Sequence, residues 1–205
     1  MDGMATKVCV RRFNYKICVS GASDIRACPK DAVTRAREVG REIVRRGGVI
    51  VTGATSGIPY EAAKAARAAG GLSIGFSPAA SAIAHTKTYR LPTDAFDIIV
   101  YTGFDYSGRN LILTRAADAL ITICGRVGTL NEFTVAFEDR KPIGVLAGSG
   151  GTADRIKEIV EPSGRPWKWK QTVFEHNPRT LVAKVIALID DGKVERRRQS
   201  ARRKR

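Results

Sequence analysis

The 205-residue chain has few of the residues that build metal and redox centres. It contains two histidines, His85 and His176, and four cysteines, with no Cys-x-x-Cys pair. Zinc sites and small disulfide scaffolds rely on closely spaced ligands or cysteines, so we expect no metal and no disulfide framework. Reduced thiols are typical of a cytoplasmic protein, which is the location that the sequence favours. The four cysteines are Cys9, Cys18, Cys28 and Cys124.

Three familiar motifs of nucleotide-binding and hydrolytic proteins are also missing. Neither G-x-G-x-x-G, the usual dinucleotide fingerprint, nor G-x-x-x-x-G-K-[ST], the P-loop, occurs. G-x-S-x-G, the nucleophile elbow of α/β-hydrolases, is absent as well. Because the P-loop lysine and hydroxyl hold the phosphates and magnesium, their absence argues against ATP hydrolysis. No bound cofactor is predicted.

Long apolar runs are lacking too. A transmembrane helix needs about 20 consecutive apolar residues, and no stretch approaches that length. The amino terminus does not show the charged and then apolar layout of a signal peptide. We therefore expect no membrane association. A chain of this length is most simply one domain, predicted over residues 1–192.

Acidic residues are outnumbered, since 35 lysines and arginines against 20 aspartates and glutamates give a formal net charge of +15. Residues 193–205 contribute eight basic side chains and one acidic side chain, with valine as the one sizeable apolar residue. Such a segment cannot bury enough apolar surface to offset the entropy of ordering, so we expect a disordered tail. The tail either aids solubility or binds nucleic acid weakly by counterion release.

Apolar runs alternate with helical periodicity along the whole chain. Strands that are apolar on both faces and alternate with helices indicate a parallel sheet covered on both sides. The sequence therefore predicts an α/β fold, a doubly wound, Rossmann-like parallel sheet with helices on both faces. The predicted strands are 15–20, 49–52, 72–76, 97–101, 119–124, 141–146 and 172–174, and the predicted helices are 31–46, 59–70, 107–117, one that begins after residue 129, 153–160 and 179–190. Residues 77–95 have no clear period and are predicted to form a long loop.

Glycine-rich turns follow three of the predicted strands. Ligands of doubly wound folds bind outside the carboxyl ends of the strands, where a turn into a helix presents backbone N–H groups to an anion. The third turn is the most informative, because the strand breaks at Gly125 and a helix begins after Gly128 and Thr129. The predicted phosphate or nucleotide site comprises Gly21, Ala22, Ser23, Gly53, Thr55, Ser56, Gly57, Gly125, Arg126, Val127, Gly128 and Thr129.

The segment Cys124-Gly-Arg-Val-Gly-Thr-Leu-Asn-Glu132 resembles the P-G-G-x-G-T-x-x-E motif of the LOG (lonely guy) family. Arg109, in Gly-Arg-Asn, resembles the motif arginine of that family. The similarity covers most of residues 15–190 and extends to molybdenum cofactor carrier proteins and DNA-processing protein A of the same superfamily. It implies hydrolysis of the N-glycosidic bond of nucleoside 5′-monophosphates, such as cytokinin riboside monophosphates or AMP, with Arg109 and Glu132 as catalytic residues. It also implies a homo-oligomer, a dimer or a tetramer.

The two residue types suit this reaction. Cleavage of an N-riboside builds positive charge on the sugar, which the Glu132 carboxylate can stabilise while it orients water. The Arg109 guanidinium can hold the phosphate or the departing base. If strands 97–101 and 119–124 are neighbours, they run about 4.8 Å apart and both side chains reach one pocket.

Three residues depart from the family motifs. Arg126 replaces a glycine, Cys124 replaces a proline and Asn110 replaces a lysine. An arginine at position 126 either adds a phosphate contact or blocks the sugar. The departures place the chain nearer the carrier branch, so the alternative function is a non-catalytic protein that binds or carries a nucleotide or the molybdenum cofactor.

Each candidate residue also has a purely structural interpretation. Thr129-Leu-Asn-Glu132 matches a capping box, in which the glutamate only closes the helix start. Arg109 is otherwise a surface residue of a first helical turn, and Thr55 and Ser56 are otherwise turn residues. The segment 166–170, Pro-Trp-Lys-Trp-Lys, is a surface loop, a subunit contact or, together with the tail, part of a nucleic-acid-binding surface.

Overall fold

The computed structural model describes residues 13–163 and 170–203, so the predicted roles of Trp167 and Trp169 fall outside the described residues. Within these ranges seven strands form one parallel sheet, which confirms the predicted doubly wound α/β fold. The strands are β1 (Tyr15–Gly21), β2 (Gly48–Thr52), β3 (Ser73–Ser77), β4 (Ile98–Tyr101), β5 (Ala119–Ile123), β6 (Ile143–Leu146) and β7 (Thr172–Glu175). The helices are α1 (Ala32–Arg45), α2 (Ile58–Ala68), α3 (Asp105–Ala116), α4 (Val127–Glu138), α5 (Ile156–Val160) and α6 (Pro178–Arg203).

The strand order β4-β3-β2-β1-β5-β6-β7 creates a switch point in the middle of the sheet. The chain builds outward from β1 to β4, and α3 then returns it to β5 on the other side of β1. Ligands of such sheets bind where the connections diverge, here between β1 and β5. The condition stated above, that β4 and β5 are neighbours, is not met, because three strands separate them. It is α3, and not strand pairing, that carries residues from the β4 edge to the centre.

Helices cover both faces of the sheet. On one face, α1, α2 and α6 bury the core around Ile17, Ile121 and Leu181. On the other face, α3, α4 and α5 bury Leu113, Phe133 and Ile156 against the opposite sides of the same strands. The central strands β2 and β5 are buried along their whole length, which explains why they are apolar at successive positions.

Small residues set the spacing between α1 and α2. Helix α2 is rich in alanine, and a Cβ atom at Gly40 of α1 would overlap the Ala62 carbonyl oxygen. The two backbones therefore approach closely, and this contact positions the turn that precedes α2 at the carboxyl edge of the sheet.

The carboxyl-terminal helix is longer than predicted. A helix over 179–190 followed by a disordered tail was expected, whereas α6 continues to Arg203. Arginine, lysine, glutamate, glutamine and alanine are strong helix formers, and extending an existing helix needs no new nucleus. The structure thus differs from the prediction of disorder for residues 193–203. No helix in the described parts of the chain has both the length and the apolar character needed to span a membrane.

The predicted loop 77–95 contains a π-helical turn, Ala84–Thr88. His85 is fully buried in it, with Nδ1 2.8 Å from Ser77 Oγ and Nε2 3.1 Å from the Pro92 carbonyl oxygen. The histidine therefore ties the loop to β3. These hydrogen bonds of His85, to residues seven and eight positions away, leave no periodic pattern in the sequence.

Candidate functional site

The turns that follow β1, β2 and β5 meet at the carboxyl edge of the sheet and enclose a cavity of about 160 Å³, which we call the switch-point cavity. Helix α3 closes one side of it. Its lining residues are Val19, Gly21, Ser23, Gly53, Thr55, Pro59, Tyr106, Arg109, Asn110, Gly128, Thr129 and Glu132. The structure thus brings together residues of all three predicted turns with the predicted pair Arg109 and Glu132.

Arg109 and Glu132 form a buried ion pair. Their exposed fractions are 5% and 6%, and Arg109 Nη1 lies 3.6 Å from Glu132 Oε1. The other carboxylate oxygen accepts a hydrogen bond from the Ser20 hydroxyl of β1. Arg109 Nε is buried without a hydrogen-bond partner. A surface role for Arg109 is therefore excluded, and its guanidinium retains an unused donor.

Gly53 makes room for the guanidinium. A Cβ atom at this position would overlap Arg109 Nη1, so the backbone after β2 has to be glycine for the arginine to lie where it does. The Asn110 amide is placed so that its nitrogen, when turned toward Glu132, lies 3.2 Å from Oε1 and 2.9 Å from the Tyr106 carbonyl oxygen. Sequence reasoning missed Ser20, Asn110 and Tyr106 as site residues, since none belongs to a glycine turn.

Burial dominates the electrostatics of the pair. It raises the pKa of Glu132, against the opposing effects of the Arg109 charge and the Ser20 hydrogen bond. Burial also lowers the pKa of Arg109, although the Glu132 charge opposes the change. Two charges removed from water are stabilised only when further partners satisfy them. The site therefore gains from an anion that reaches the guanidinium.

The capping-box interpretation of Glu132 is wrong. Helix α4 begins at Val127 with Arg126 as its N-cap residue, which makes no side-chain capping bond, so Thr129 lies inside the first turn. The Glu132 carboxylate faces Ser20 and Arg109 across the sheet edge instead. The first backbone N–H groups of α4 have no partner within the helix. Two of these groups belong to Gly128 and Thr129, which line the cavity.

The remaining predicted residues shape the turns without lining the cavity. Ile58 N donates to the Ala22 carbonyl oxygen at 2.8 Å, and Ser56 Oγ donates to the Ser23 carbonyl oxygen at 3.1 Å. Gly57 has φ 71°, and a Cβ atom there would overlap the Ala22 carbonyl oxygen. Gly125 is buried against Thr129, whereas Arg126 and Val127 point to solvent.

A disulfide bond joins Cys28 to Cys124, with the two Cα atoms 5.9 Å apart. This overturns the expectation of reduced cysteines without a disulfide. The two residues are 96 positions apart, but each follows one of the adjacent strands β1 and β5, so only the topology brings them together. Cys18 is a buried free thiol, and Cys9 lies outside the described residues.

The turn after β6 holds the α4 loop in place. Cys124 N donates to Ser149 Oγ at 2.7 Å, and the Cys124 and Gly125 carbonyl oxygens accept bonds from Ala153 N at 2.8 Å and Thr152 N at 3.1 Å. Cys124 itself has a φ of 54°, a conformation that glycine adopts more readily. The Gly-Ser-Gly-Gly run over 148–151 was the sequence signal for this fourth turn.

A larger cavity of about 620 Å³ lies at the opposite, amino-terminal edge of the sheet. Four of its charged side chains form ion pairs: Lys16 with Asp118 at 3.2 Å and Arg115 with Asp139 at 3.1 Å. Because ligands of this fold bind at the carboxyl ends of the strands, we regard the switch-point cavity as the candidate site. Within the described residues, no group of three or more His, Cys, Asp or Glu side chains could hold a metal ion.

Comparisons with known proteins identify the family of the chain and agree with its fold. A model of the SLOG cluster4 family matches residues 14–178. An uncharacterized protein of Archaeoglobus fulgidus is 30% identical over 131 residues, which cover 64% of this chain and 79% of that protein.

Solved structures share the fold over most of the chain. The molybdenum cofactor binding protein of Rippkaea orientalis has a TM-score of 0.69 and 26% identity, covering 85% of this chain and 97% of that one. The molybdenum cofactor carrier protein of Chlamydomonas reinhardtii has a TM-score of 0.67 and 24% identity, covering 86% and 98%. DNA processing protein A of Helicobacter pylori, described as binding single-stranded DNA, has a TM-score of 0.61 and 17% identity, covering 84% and 80%.

Proposed function

We propose that this chain, which belongs to the SLOG cluster4 family, binds a phosphorylated, nucleotide-like small molecule in the switch-point cavity. The observation that carries the proposal is the buried Arg109 guanidinium. Arg109 is one of the residues that line the cavity, and its Nε–H group has no hydrogen-bond partner in the protein. The Glu132 carboxylate, 3.6 Å from the Arg109 guanidinium, balances this buried positive charge only in part. A phosphate group of the ligand would therefore stabilise it further. Backbone N–H groups at the start of α4 add donors and the positive end of the helix dipole.

Calorimetric titration with AMP and with inorganic phosphate tests this binding. Because a charged hydrogen bond contributes about 1.5–3 kcal/mol, Arg109→Met should weaken binding about 10- to 150-fold. Arg115→Met is the matched control, since Arg115 lies on the same helix but is exposed and paired with Asp139. If neither probe binds the wild-type protein, or if both variants lose the same affinity, the proposal fails.

The sharper form of the proposal is hydrolysis of the N-glycosidic bond of a nucleoside 5′-monophosphate. The phosphate binds at Arg109 and the start of α4, and the Glu132 carboxylate stabilises the developing positive charge on the ribose. Water adds its hydroxyl group to C1′, while the base leaves with the bonding electron pair and takes up the proton. The products are the free base and ribose 5-phosphate.

Chromatography of free adenine after incubation with AMP tests the hydrolysis. Glu132→Gln keeps the shape of the side chain and removes its charge, so base release should fall about 100-fold or more while AMP still binds. A wild-type protein that binds AMP and releases no adenine leaves the non-catalytic alternative.

That alternative is a carrier of a nucleotide or of the molybdenum cofactor as cargo. It is supported by the 26% identity to the Rippkaea orientalis protein and by the engagement of Glu132 with Ser20 and Arg109, which restrains the carboxylate. Native mass spectrometry of freshly purified protein should then show a bound phosphorylated pterin or nucleotide. A ligand-free spectrum together with measured AMP turnover would exclude the carrier function.

We also propose that the chain forms a homo-oligomer through an apolar surface of β4 and α3. This β4–α3 surface consists of Ile98, Val100, Phe104 and Leu111, each at least 39% exposed. Parallel sheets are normally covered on both faces, yet Ile98 and Val100 of the edge strand remain exposed. Phe104, just before α3, and Leu111 on α3 are exposed as well. A second copy related by a two-fold axis would cover the exposed residues of β4 and those of α3 together, because each copy presents the same surface to the other.

Sedimentation velocity measures this assembly. Leu111→Glu should shift the protein toward the monomer, because a charge at a buried apolar interface is unfavourable. Ile159→Glu is the control, since Ile159 is similarly exposed on α5 at 46%. A wild-type protein that sediments as a monomer excludes the assembly.

The proposed nucleic-acid binding rests on the charge of residues 193–205. Fluorescence anisotropy with a single-stranded oligonucleotide should show weaker binding and a flatter salt dependence after deletion of this segment. Unchanged binding in the deletion variant removes the role of the tail.

A cytoplasmic location is also part of the proposal. The Cys28–Cys124 bond does not support it, because disulfides are rare in the cytosol, where thiols are kept reduced. Fractionation of cells, followed by immunoblotting beside a cytosolic marker protein, tests the location. Recovery of the protein outside the cytosolic fraction contradicts it.

A further inference from the structure

A second, shallower groove lies beside the switch-point cavity. It has a volume of about 370 Å³ and is lined by Asp24, Arg26, Ala27 and Arg126. It adjoins the cavity through the chain itself: Ser23, which lines the cavity, precedes Asp24, and Gly128 lies two residues after Arg126. We call these four residues the arginine groove. Two guanidinium groups against one carboxylate give it a net positive charge.

The two arginines differ in how they are paired. Arg26 binds Asp24 closely, with Nη2 2.6 Å and Nε 2.9 Å from the carboxylate oxygens. Arg126 Nη1 is 3.7 Å from the same carboxylate, and the Arg126 side chain is 66% exposed. A planar guanidinium carries five N–H donors, so Arg126 keeps donors that this single contact does not use. Arg126 is the N-cap residue of α4, and Gly128, two residues further along the chain, lines the cavity.

The disulfide holds the two halves of the groove together. Cys28 lies two residues after Arg26, and Cys124 lies two residues before Arg126. The Cys124 backbone is further fixed by its bonds to Ser149 and Ala153. The backbones that carry both arginines are thus held in place before a ligand arrives, which lowers the entropy lost on binding.

From this arrangement we propose that Arg126 and Arg26 form a second anion subsite, so that the ligand of this protein carries a second phosphate group and belongs to the class of nucleoside diphosphates and their esters. The proposal rests on the proposed function, because the first phosphate occupies the switch-point cavity. On binding, the second phosphate takes up the free donors of Arg126, while Asp24 stays paired with Arg26. Arginine is suited to this role because its fork matches two phosphate oxygens.

Calorimetric titrations with AMP and with ADP test the subsite. The wild-type protein should bind ADP about tenfold or more tightly than AMP, the effect of one charged contact of the usual strength. Arg126→Gln should reduce that ratio about tenfold while the affinity for AMP stays within about twofold. Arg126→Gly, which introduces the glycine of the related motif, should have the same effect. Arg179→Gln is the control, because it removes the same charge. Arg179 lies at the start of α6, is exposed and forms an ion pair with Glu38 of α1.

The outcomes separate the two proposals. The second subsite is overturned if the protein binds AMP and ADP with about equal affinity. It is also overturned if Arg126→Gln leaves the ratio of the two affinities unchanged. Either result leaves the proposed function in place. If the protein binds neither nucleotide, and also neither inorganic phosphate nor pyrophosphate, both proposals fail. A ratio that falls equally in Arg179→Gln reflects net charge alone and also overturns the subsite.

Discussion

Glu132 shows how one residue fits two sequence motifs that have different consequences. Its spacing from Thr129 matches a capping box, and its place after the glycine turn matches a site motif. The helix begins at Val127, three residues earlier than the capping box requires, and the carboxylate turns to Ser20 and Arg109. The choice between the two depends on where α4 starts, and helix starts are uncertain from sequence by about two to four residues.

The raised pKa of Glu132 makes a prediction about stability. Burial favours the protonated carboxyl in the folded protein, so the folded state holds this proton more tightly than the unfolded chain does. The stability that this supplies is fully present below the unfolded pKa and is lost as the pH rises through the folded pKa. Glu132→Gln should therefore gain stability relative to the wild-type protein as the pH rises from about 4 to 7.

Urea denaturation at several pH values in that window measures the difference. Glu158→Gln, at an exposed carboxylate paired with Arg155, is the control for removing a charge. A difference between Glu132→Gln and wild type that moves in the opposite direction, or that the control reproduces, contradicts the burial argument.

At the level of elements, the sequence predicted the type of nearly every helix and strand. Strands such as β2 and β5 are mostly apolar along their buried length, and α1 repeats its apolar residues at helical spacing. The π-helical turn around His85 and the length of α6 were missed. The first depends on a partner in β3, and the second depends on a helix that already exists and only has to be extended.

Gly40 gives the prediction at this scale. In an exposed helix, Gly→Ala adds about 1 kcal/mol of stability. Here the new methyl group would overlap the Ala62 carbonyl oxygen of α2, so the helices must move apart. We expect Gly40→Ala to lower the free energy of unfolding by about 1–3 kcal/mol.

Chemical denaturation measures the effect, and Gly128→Ala is the matched control. A Cβ atom at Gly128, in the first turn of α4, meets nothing within 4 Å, so this variant should be neutral or slightly more stable. Equal effects at both positions would show that the close approach of α1 and α2 does not limit stability.

On the scale of the whole molecule, the disulfide links two parts of the chain that the topology brings together. It joins positions 96 residues apart across the switch point. Closing a loop of this length restricts the unfolded chain, and native disulfides typically contribute about 2–4 kcal/mol. Reduction with dithiothreitol, which converts the bond to two thiols, should therefore lower the melting temperature.

Thermal unfolding with and without dithiothreitol measures that contribution. Cys28→Ser is the matched control, because it lacks the bond and should melt at the same temperature under both conditions. A wild-type melting temperature that does not respond to the reductant contradicts the stabilising role of the disulfide.

The sequence by itself determined the fold class and the three glycine turns, because apolar periodicity and turn chemistry are local properties of the chain. Arg109 and Glu132 became candidates through the resemblance of their segments to the LOG family motifs. Only the tertiary structure decided that α3 crosses the sheet to bring Arg109 to Glu132, that Cys28 meets Cys124, and that Ser20 and Gly53 complete the site. Each of these depends on the order of the strands, which sets what lies side by side and leaves no trace in the spacing of residues along the chain.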